Sequence, residues 1–227
     1  LGWKPNTVGP TDGVGVEWTY ETPSGAIINS SAAVVDGTVF FGSNDGRVYA
    51  VDAATGAERW IAATGDAIRD SSPTVVDGRL FVGSNDGSYY AFDAATGDRL
   101  WSYATDGFAI SSAAVADGRV FFSSRDTGVY AVDAATGEEL WTDTETGGIA
   151  QNGLAVADGR VYVSSNNTYA FDAASGDLLW TVEMRANNQI NGTPTVAGGL
   201  VLGEFGLYVG AMTTAGRALG GAIRLPE

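Results

Sequence analysis

Short apolar runs separated by turn residues recur along the whole chain. Examples are TVFF at 38–41 and RLFV at 79–82, each preceded by an Asp-Gly pair. Asp-Gly between apolar runs is a strong signal for a tight β-hairpin turn, and no segment shows a helical period or helix caps. The pattern therefore predicts an all-β chain built from short antiparallel strands.

The runs belong to a repeat of about forty residues. Four nearly identical segments each end in a tryptophan, and Trp18 precedes them, so that successive tryptophans are 42, 41, 40 and 39 residues apart. A fifth unit has diverged: Gly198 stands in place of the turn aspartate, and Leu219 stands near the tryptophan position. Four strands per unit of this length predict the blade of a β-propeller, with about five blades in this chain.

The strands read as nearly continuous apolar runs, which is typical of sheets covered on both faces by neighbours. We therefore expect one β-propeller domain over residues 1–227, because a single blade cannot bury both of its faces. The predicted leading strand covers 15–22, and it either closes the ring against the last blade or ends a blade that this chain lacks. The predicted blades cover approximately 28–64, 70–105, 110–145, 150–184 and 191–225.

The recurring Asp-Ala-Ala-(Thr/Ser)-Gly segment predicts a turn between the third and fourth strands. An aspartate carboxylate can accept hydrogen bonds from backbone N–H groups two residues later, and a glycine supplies a positive φ. One aspartate per turn offers too few oxygens for calcium, so we predict a structural role and no metal. The glycines given this role are Gly56, Gly97, Gly137 and Gly176.

The same segments resemble the repeat of quinoprotein-type (PQQ-like) propellers. The resemblance is carried by YAVDAATGAERW at 49–60, YAFDAATGDRLW at 90–101, YAVDAATGEELW at 130–141 and YAFDAASGDLLW at 169–180. It implies that each tryptophan docks against the neighbouring blade. The tryptophans with this implied role are Trp60, Trp101, Trp141 and Trp180.

The resembled family contains both enzymes and binding proteins. The enzymes hold pyrroloquinoline quinone with a calcium site of Glu, Asn and Asp, and often a vicinal disulfide, whereas the scaffold members, such as the outer-membrane-assembly propeller lipoprotein, hold no cofactor. The chain contains no cysteine, and we find no match to that calcium site. We therefore expect a non-catalytic scaffold with no cofactor. The alternatives are a fragment or degenerate relative of a quinone-dependent alcohol or sugar dehydrogenase, and the extracellular sensor portion of a larger receptor.

The composition indicates the environment of the protein and argues against some classes of partner. Histidine is absent, so the commonest general base and metal ligand is missing. The net charge is −15 and Lys4 is the only lysine, which favours adaptation to high salt and argues against nucleic acid and anionic membranes as partners. No apolar run is long enough for a membrane helix. Because the chain begins at Leu1, we expect a processed or excised product. As the leading hypothesis we expect an exported protein that is extracellular or anchored at the cell surface.

Recognition is expected on the face where the repeats differ. The loops between blades and the turns between second and third strands share one face, and they vary among the units, whereas the Asp-Gly and Asp-Ala-Ala-Thr-Gly turns of the opposite face recur almost unchanged. Loops on a rigid scaffold commonly carry binding. We expect a protein or glycan partner, anchored through arginines to a carboxylate or an acidic segment. The candidate residues are Asn29, Arg69, Asp70, Ser111, Arg125, Gln151, Asn152, Arg185 and Asn191.

Overall fold

The computed structural model describes residues 15–109, 111–126, 128–144, 153–164, 167–183, 193–197, 199–205, 208–213 and 223–224. These residues form twenty strands in five four-stranded antiparallel sheets. In each sheet the strands follow the order of the chain, and the first strands of successive sheets lie next to one another. The predicted all-β propeller of about five blades is therefore confirmed.

The strand bounds define the five blades. In chain order they are β1 Ala33–Val35, β2 Thr38–Gly42, β3 Arg47–Asp52 and β4 Glu58–Ala63; β5 Thr74–Val76, β6 Arg79–Gly83, β7 Ser88–Asp93 and β8 Arg99–Ala104; β9 Ala114–Ala116, β10 Arg119–Ser123, β11 Val129–Asp133 and β12 Glu139–Asp143; β13 Leu154–Ala157, β14 Arg160–Ser164, β15 Asn167–Asp172 and β16 Leu178–Glu183; and β17 Thr195–Ala197, β18 Leu200–Phe205, β19 Tyr208–Thr213 and β20 Ile223–Arg224. Among the described residues, no helix is long and apolar enough to cross a membrane.

The first turn of each blade is set by local backbone chemistry. Asp77 and Gly78 both have positive φ, at 49° and 72°, and the pair joins β5 to β6. Two consecutive positive φ angles make a turn whose twist matches that of the flanking strands. Blades 1, 3 and 4 repeat this conformation at Asp36, Asp117 and Asp158.

The turn between the third and fourth strands is held by its aspartate. Asp93 Oδ1 accepts hydrogen bonds from the N–H groups of Ala95 and Thr96, at 2.8 and 2.9 Å. The turn is also fixed to the hairpin turn of its own blade, because the N–H of Ala94 donates to the carbonyl oxygen of Gly78 at 2.8 Å. The two turns therefore form one rigid unit on what we call the second face.

A contact between tryptophan and glycine joins blade 1 to 2, 2 to 3 and 3 to 4. The indole N–H of Trp60 donates to the carbonyl oxygen of Ala94 at 3.0 Å, and a Cβ placed on Gly97 would lie 2.8 Å from the indole ring. Trp101 contacts Ala134 and Gly137 in the same way. We call this set of contacts the Trp–Gly seam; its described pairs are Trp18 with Gly56, Trp60 with Gly97, Trp101 with Gly137, and Trp141 with Gly176.

The two ends of the seam differ from the repeat. Trp180 is half-buried and its ring lies 5.9 Å from that of Tyr162, while the end of blade 5, where its seam partner would stand, lies outside the described residues. Residues 15–22 were predicted as a strand, but they form none in the structure. No strand among the described residues pairs with this segment, although Trp18 makes the seam contact and donates to the carbonyl oxygen of Ala53 at 3.1 Å.

The core fills the spaces between blades. One cluster combines Phe40 and Trp60 of blade 1 with Leu80, Val82 and Phe92 of blade 2, all buried. Corresponding clusters join blades 2 to 3 and 3 to 4. This packing explains the nearly continuous apolar runs of the sequence, because both faces of each inner strand pair are covered.

Candidate functional site

We call the face formed by the loops between blades and by the turns between second and third strands the first face. In blades 1 to 3 a backbone hydrogen bond joins each of these turns to the loop before it. The N–H of Asn85 in the β6–β7 turn donates to the carbonyl oxygen of Ala67 at 2.9 Å. In the next blade the N–H of Arg125 donates to the carbonyl oxygen of Phe108 at 3.0 Å. A regular set of backbone hydrogen bonds therefore holds the variable loops in place.

A hydrogen bond between an aspartate and a tyrosine recurs in the turns of this face. Asp126 Oδ2 accepts hydrogen bonds from the phenol of Tyr130 at 2.7 Å and from the N–H of Asp106 at 2.9 Å. Asp45 likewise accepts from Tyr49 at 2.6 Å, and burial followed by this hydrogen bond raises the pKa of Tyr49 to about 12. These phenols therefore remain neutral donors near pH 7 and hold the turns in place.

Arg125 and Phe108 form an exposed pair on the first face. The guanidinium carbon of Arg125 lies 5.6 Å from the centre of the Phe108 ring, a cation–π distance, and Phe108 is 46% exposed. Sequence reasoning proposed Arg125 but missed Phe108. The signal was available, since TDGFAISS is the only described inter-blade loop that carries an aromatic residue.

Apart from Ser111, the other predicted site residues fall into two groups. Asn29, Arg69 and Asp70 are exposed. Among the described residues the two ion pairs are Arg47–Asp45 and Arg59–Asp52, so neither includes Arg69, Asp70 or Arg125. The residues that lie outside the described part are Gln151, Asn152, Arg185 and Asn191.

Ser111 has a different position from the one expected for a binding residue. It is 1% exposed, its Oγ accepts a hydrogen bond from the N–H of Ser123 at 2.8 Å, and its carbonyl oxygen accepts from Ser71 Oγ at 3.0 Å. The following serines link the blades as well, because the N–H of Ser72 donates to Ser112 Oγ at 2.9 Å. Ser111 therefore supports the inner strands from within and is not available to a ligand.

The second face carries clefts that the sequence did not predict. A cleft of about 550 Å³ lies between blades 1 and 2, beside Thr38, Phe40 and Arg59, and the equivalent cleft between blades 2 and 3, beside Arg79 and Phe81, has about 220 Å³. The larger cleft is accompanied by a difference in sequence: two positions of blade 1 carry other residues than the equivalent positions of blades 2, 3 and 4. Thr38 stands where blades 2, 3 and 4 have Arg79, Arg119 and Arg160, and Arg59 stands where they have Leu100, Leu140 and Leu179.

A calcium–quinone pair was the cofactor alternative implied by the resemblance. Calcium takes six to eight oxygen ligands, commonly including several carboxylates. Within the described ranges no three acidic side chains converge on a point that a metal could occupy. The described residues therefore offer no cluster of carboxylates for a cation, and we derive no reaction step through the quinone.

The comparisons with known proteins agree with this architecture. The chain matches the family described as "Outer membrane protein assembly factor BamB" over residues 8–123, 44–152 and 125–219. Since these overlapping matches extend through most of its length, the chain belongs to this family of PQQ-like repeat propellers. A search of curated protein sequences finds no match.

Solved structures share the fold at low sequence identity. BamB from Moraxella catarrhalis is 18% identical with a TM-score of 0.60, and the match covers 92% of this chain and 79% of that one. The quinohemoprotein alcohol dehydrogenase ADHIIG from Pseudomonas putida HK5 is 19% identical with a TM-score of 0.76, covering 93% and 44%. The corresponding enzyme from Comamonas testosteroni is 16% identical with a TM-score of 0.73, covering 89% and 43%. The chain thus spans less than half of each dehydrogenase.

Proposed function

We propose that the chain is a non-catalytic scaffold that binds a protein through its first face, at the surface of a salt-adapted cell. The observation that carries this proposal is the Arg125–Phe108 pair, which is exposed on the face where the loops differ. Arginine and aromatic side chains are enriched among the residues that dominate binding energy at protein interfaces. The family description, an outer membrane protein assembly factor, supports a role in protein recognition.

Charge favours an acidic or carboxylate-bearing segment as the part of the partner that meets Arg125. The guanidinium of Arg125 makes no ion pair with any described residue, although the chain carries a net charge of −15. An arginine left unpaired on so acidic a protein can form a charge-assisted hydrogen bond to a partner carboxylate. The acidic remainder of the surface keeps the protein soluble and disfavours contacts elsewhere.

Site-specific photo-crosslinking tests this proposal. A photoreactive residue at position 108 should link one discrete surface protein of the source cell, whereas the same residue at position 95 on the second face should not. The link from position 108 should be lost in Arg125→Glu and kept in Arg99→Glu, which makes the same charge change on the exposed β8. Equal linking from both positions, or linking that survives Arg125→Glu, would overturn the proposal.

A dehydrogenase-related role is the second candidate, favoured by the higher TM-score to the quinohemoprotein alcohol dehydrogenase than to BamB. Adding pyrroloquinoline quinone and calcium and assaying dye-linked oxidation of alcohols and sugars separates the two roles. Stoichiometric quinone binding with turnover would replace the scaffold proposal with this one.

A further inference from the structure

The two described clefts of the second face are copies of one architectural position, yet they differ in volume. Thr38 is paired in register with Asp52, as Arg79 is with Asp93. Phe40 and Phe81 occupy the same place in the two clefts. The cleft beside Thr38 has about 550 Å³ and the cleft beside Arg79 has about 220 Å³. We call the larger one the Thr38 cleft.

In the smaller cleft, Arg79 occupies the position that corresponds to Thr38. Arg79 lines the smaller cleft, and its Nε is buried without a hydrogen-bond partner. The pKa of Asp93 is lowered first by the N–H groups of Thr96 and Ala95, and also by the charge of Arg79. Arg79 contributes in the same direction to Asp133 of the next blade. The positive charge of Arg79 therefore favours the ionised carboxylates of two blades, although among the described residues Arg79 forms an ion pair with neither of them.

Arg59 does not replace that guanidinium in the Thr38 cleft. Its Nη1 donates to Thr38 Oγ1 at 2.6 Å and its Nη2 to Asp52 Oδ2 at 2.7 Å, so it is held by its own blade and forms one wall. The opposite wall, from blade 2, includes Asp77 and Asp93. Asp77 and Asp93 therefore line a cleft that has Thr38 at the position where the next cleft has Arg79.

The remaining lining suits an aliphatic stem. Phe40 is buried beneath the cleft, and Val35, Val75 and Ala94 are partly buried around it. The volume lies in the range of small-molecule sites, which combine an apolar lining with a few polar groups that fix orientation. An arginine side chain has both parts, an apolar stem and a planar charged head with five donors.

We propose that the Thr38 cleft binds a guanidinium group carried on a short aliphatic chain, either as a small molecule or as an arginine side chain of a partner. The stem lies against Phe40 and Val75, and the guanidinium is received by the carboxylates of Asp77 and Asp93. The site is on the face opposite to Arg125 and is independent of the function proposed above.

Titration calorimetry with agmatine tests the site directly, with 1,4-diaminobutane as the matched cation that lacks the guanidinium. Measurement at about 1 M salt, where the Debye length is about 3 Å, suppresses non-specific attraction of cations to this acidic protein. We expect one site per chain for agmatine, and at least tenfold weaker binding of 1,4-diaminobutane. An acetylated and amidated Gly-Arg-Gly peptide distinguishes the sources: binding in preference to agmatine assigns the site to a partner's arginine, and the reverse assigns it to a free metabolite.

Two exchange variants make the test specific to the cleft. The double variant Thr38→Arg and Arg59→Leu gives blade 1 the pair found in blade 2, and it should weaken agmatine binding at least tenfold because the chain then fills its own cleft. The reciprocal variant Arg79→Thr and Leu100→Arg should open the second cleft and raise the stoichiometry from one to two. Thermal melting of both variants verifies that the propeller remains folded.

Unchanged binding by the first variant, or equal affinity for 1,4-diaminobutane, would overturn the proposal. Loss of agmatine binding in Arg125→Glu would do the same, because that residue lies on the first face. Each of these results leaves the crosslinking test of the first face unaffected, so the two proposals stand or fall separately.

Discussion

The Trp–Gly seam and the first-face loops are built on the same sheets but repeat to different degrees. At the seam, four indoles contact four glycines with nearly the same spacing and the same acceptor carbonyl. On the first face, Phe108 and Arg125 occur in one blade only. The difference shows that blade docking constrains side chains closely, whereas the loops need only their backbone hydrogen bonds. Substitutions should therefore cost stability at the seam and spare it on the first face.

The largest expected loss of stability is at an indole of the seam. Trp101 is 8% exposed and contacts blade 3, so Trp101→Ala should lower the free energy of unfolding by about 3–5 kcal/mol. Urea unfolding followed by circular dichroism measures the change. Trp101→Phe, which keeps an aromatic ring but loses the hydrogen bond to Ala134, should lose less. Equal stability of the alanine variant and the wild type would show that the seam does not hold the blades together.

A smaller effect is expected at the glycine that receives an indole. In Gly97→Ala the new Cβ would lie 2.8 Å from the ring of Trp60, at a φ of +79°, so we expect a loss of about 2–4 kcal/mol from crowding and backbone strain. Gly78→Ala is the matched control, since its φ is +72° but no heavy atom lies within 4 Å. That control should lose about 1 kcal/mol. The same urea experiment measures both, and equal losses would remove the seam contact as the cause.

Acid should weaken the second-face turns, with the smallest effect of the three. The pKa of Asp93 is lowered, first by the N–H groups of Thr96 and Ala95, and that of Asp133 is lowered by the matching donors. A carboxyl whose pKa is depressed by folding stabilises the fold above the unfolded value, and this contribution is lost as pH falls below about 4. Asp93→Asn cannot titrate, so its urea midpoint should fall less than that of the wild type between neutral pH and pH 3. Parallel curves would contradict this assignment.

The sequence predicted features whose causes are local or repeated. The Asp77-Gly78 hairpin and the Asp93 turn depend on residues within a few positions of each other, and the period of the tryptophans located the blades. The family resemblance placed the indoles against neighbouring blades, and the contacts of Trp60 and Trp101 give that placement its geometry.

Features that depend on contacts between segments distant in sequence could not be predicted from the sequence. Ser111 was predicted as a candidate binding residue, yet it is buried, and Ser71 of the previous blade donates to its carbonyl oxygen. The size of the Thr38 cleft depends on β2 and β4 of one blade and on the wall of the next, so no single segment shows it. The strand predicted at 15–22 has no pairing partner among the described residues, which its own sequence could not reveal.

The seam has a further consequence, because its two halves are different surfaces of the same unit. Blades 1, 2 and 3 each offer an indole on one side and a glycine turn on the other, so the interface joins head to tail. Any of these three blades can therefore follow another with the same seam contact, and duplicating or deleting one of their gene segments would change the number of blades while these contacts are kept.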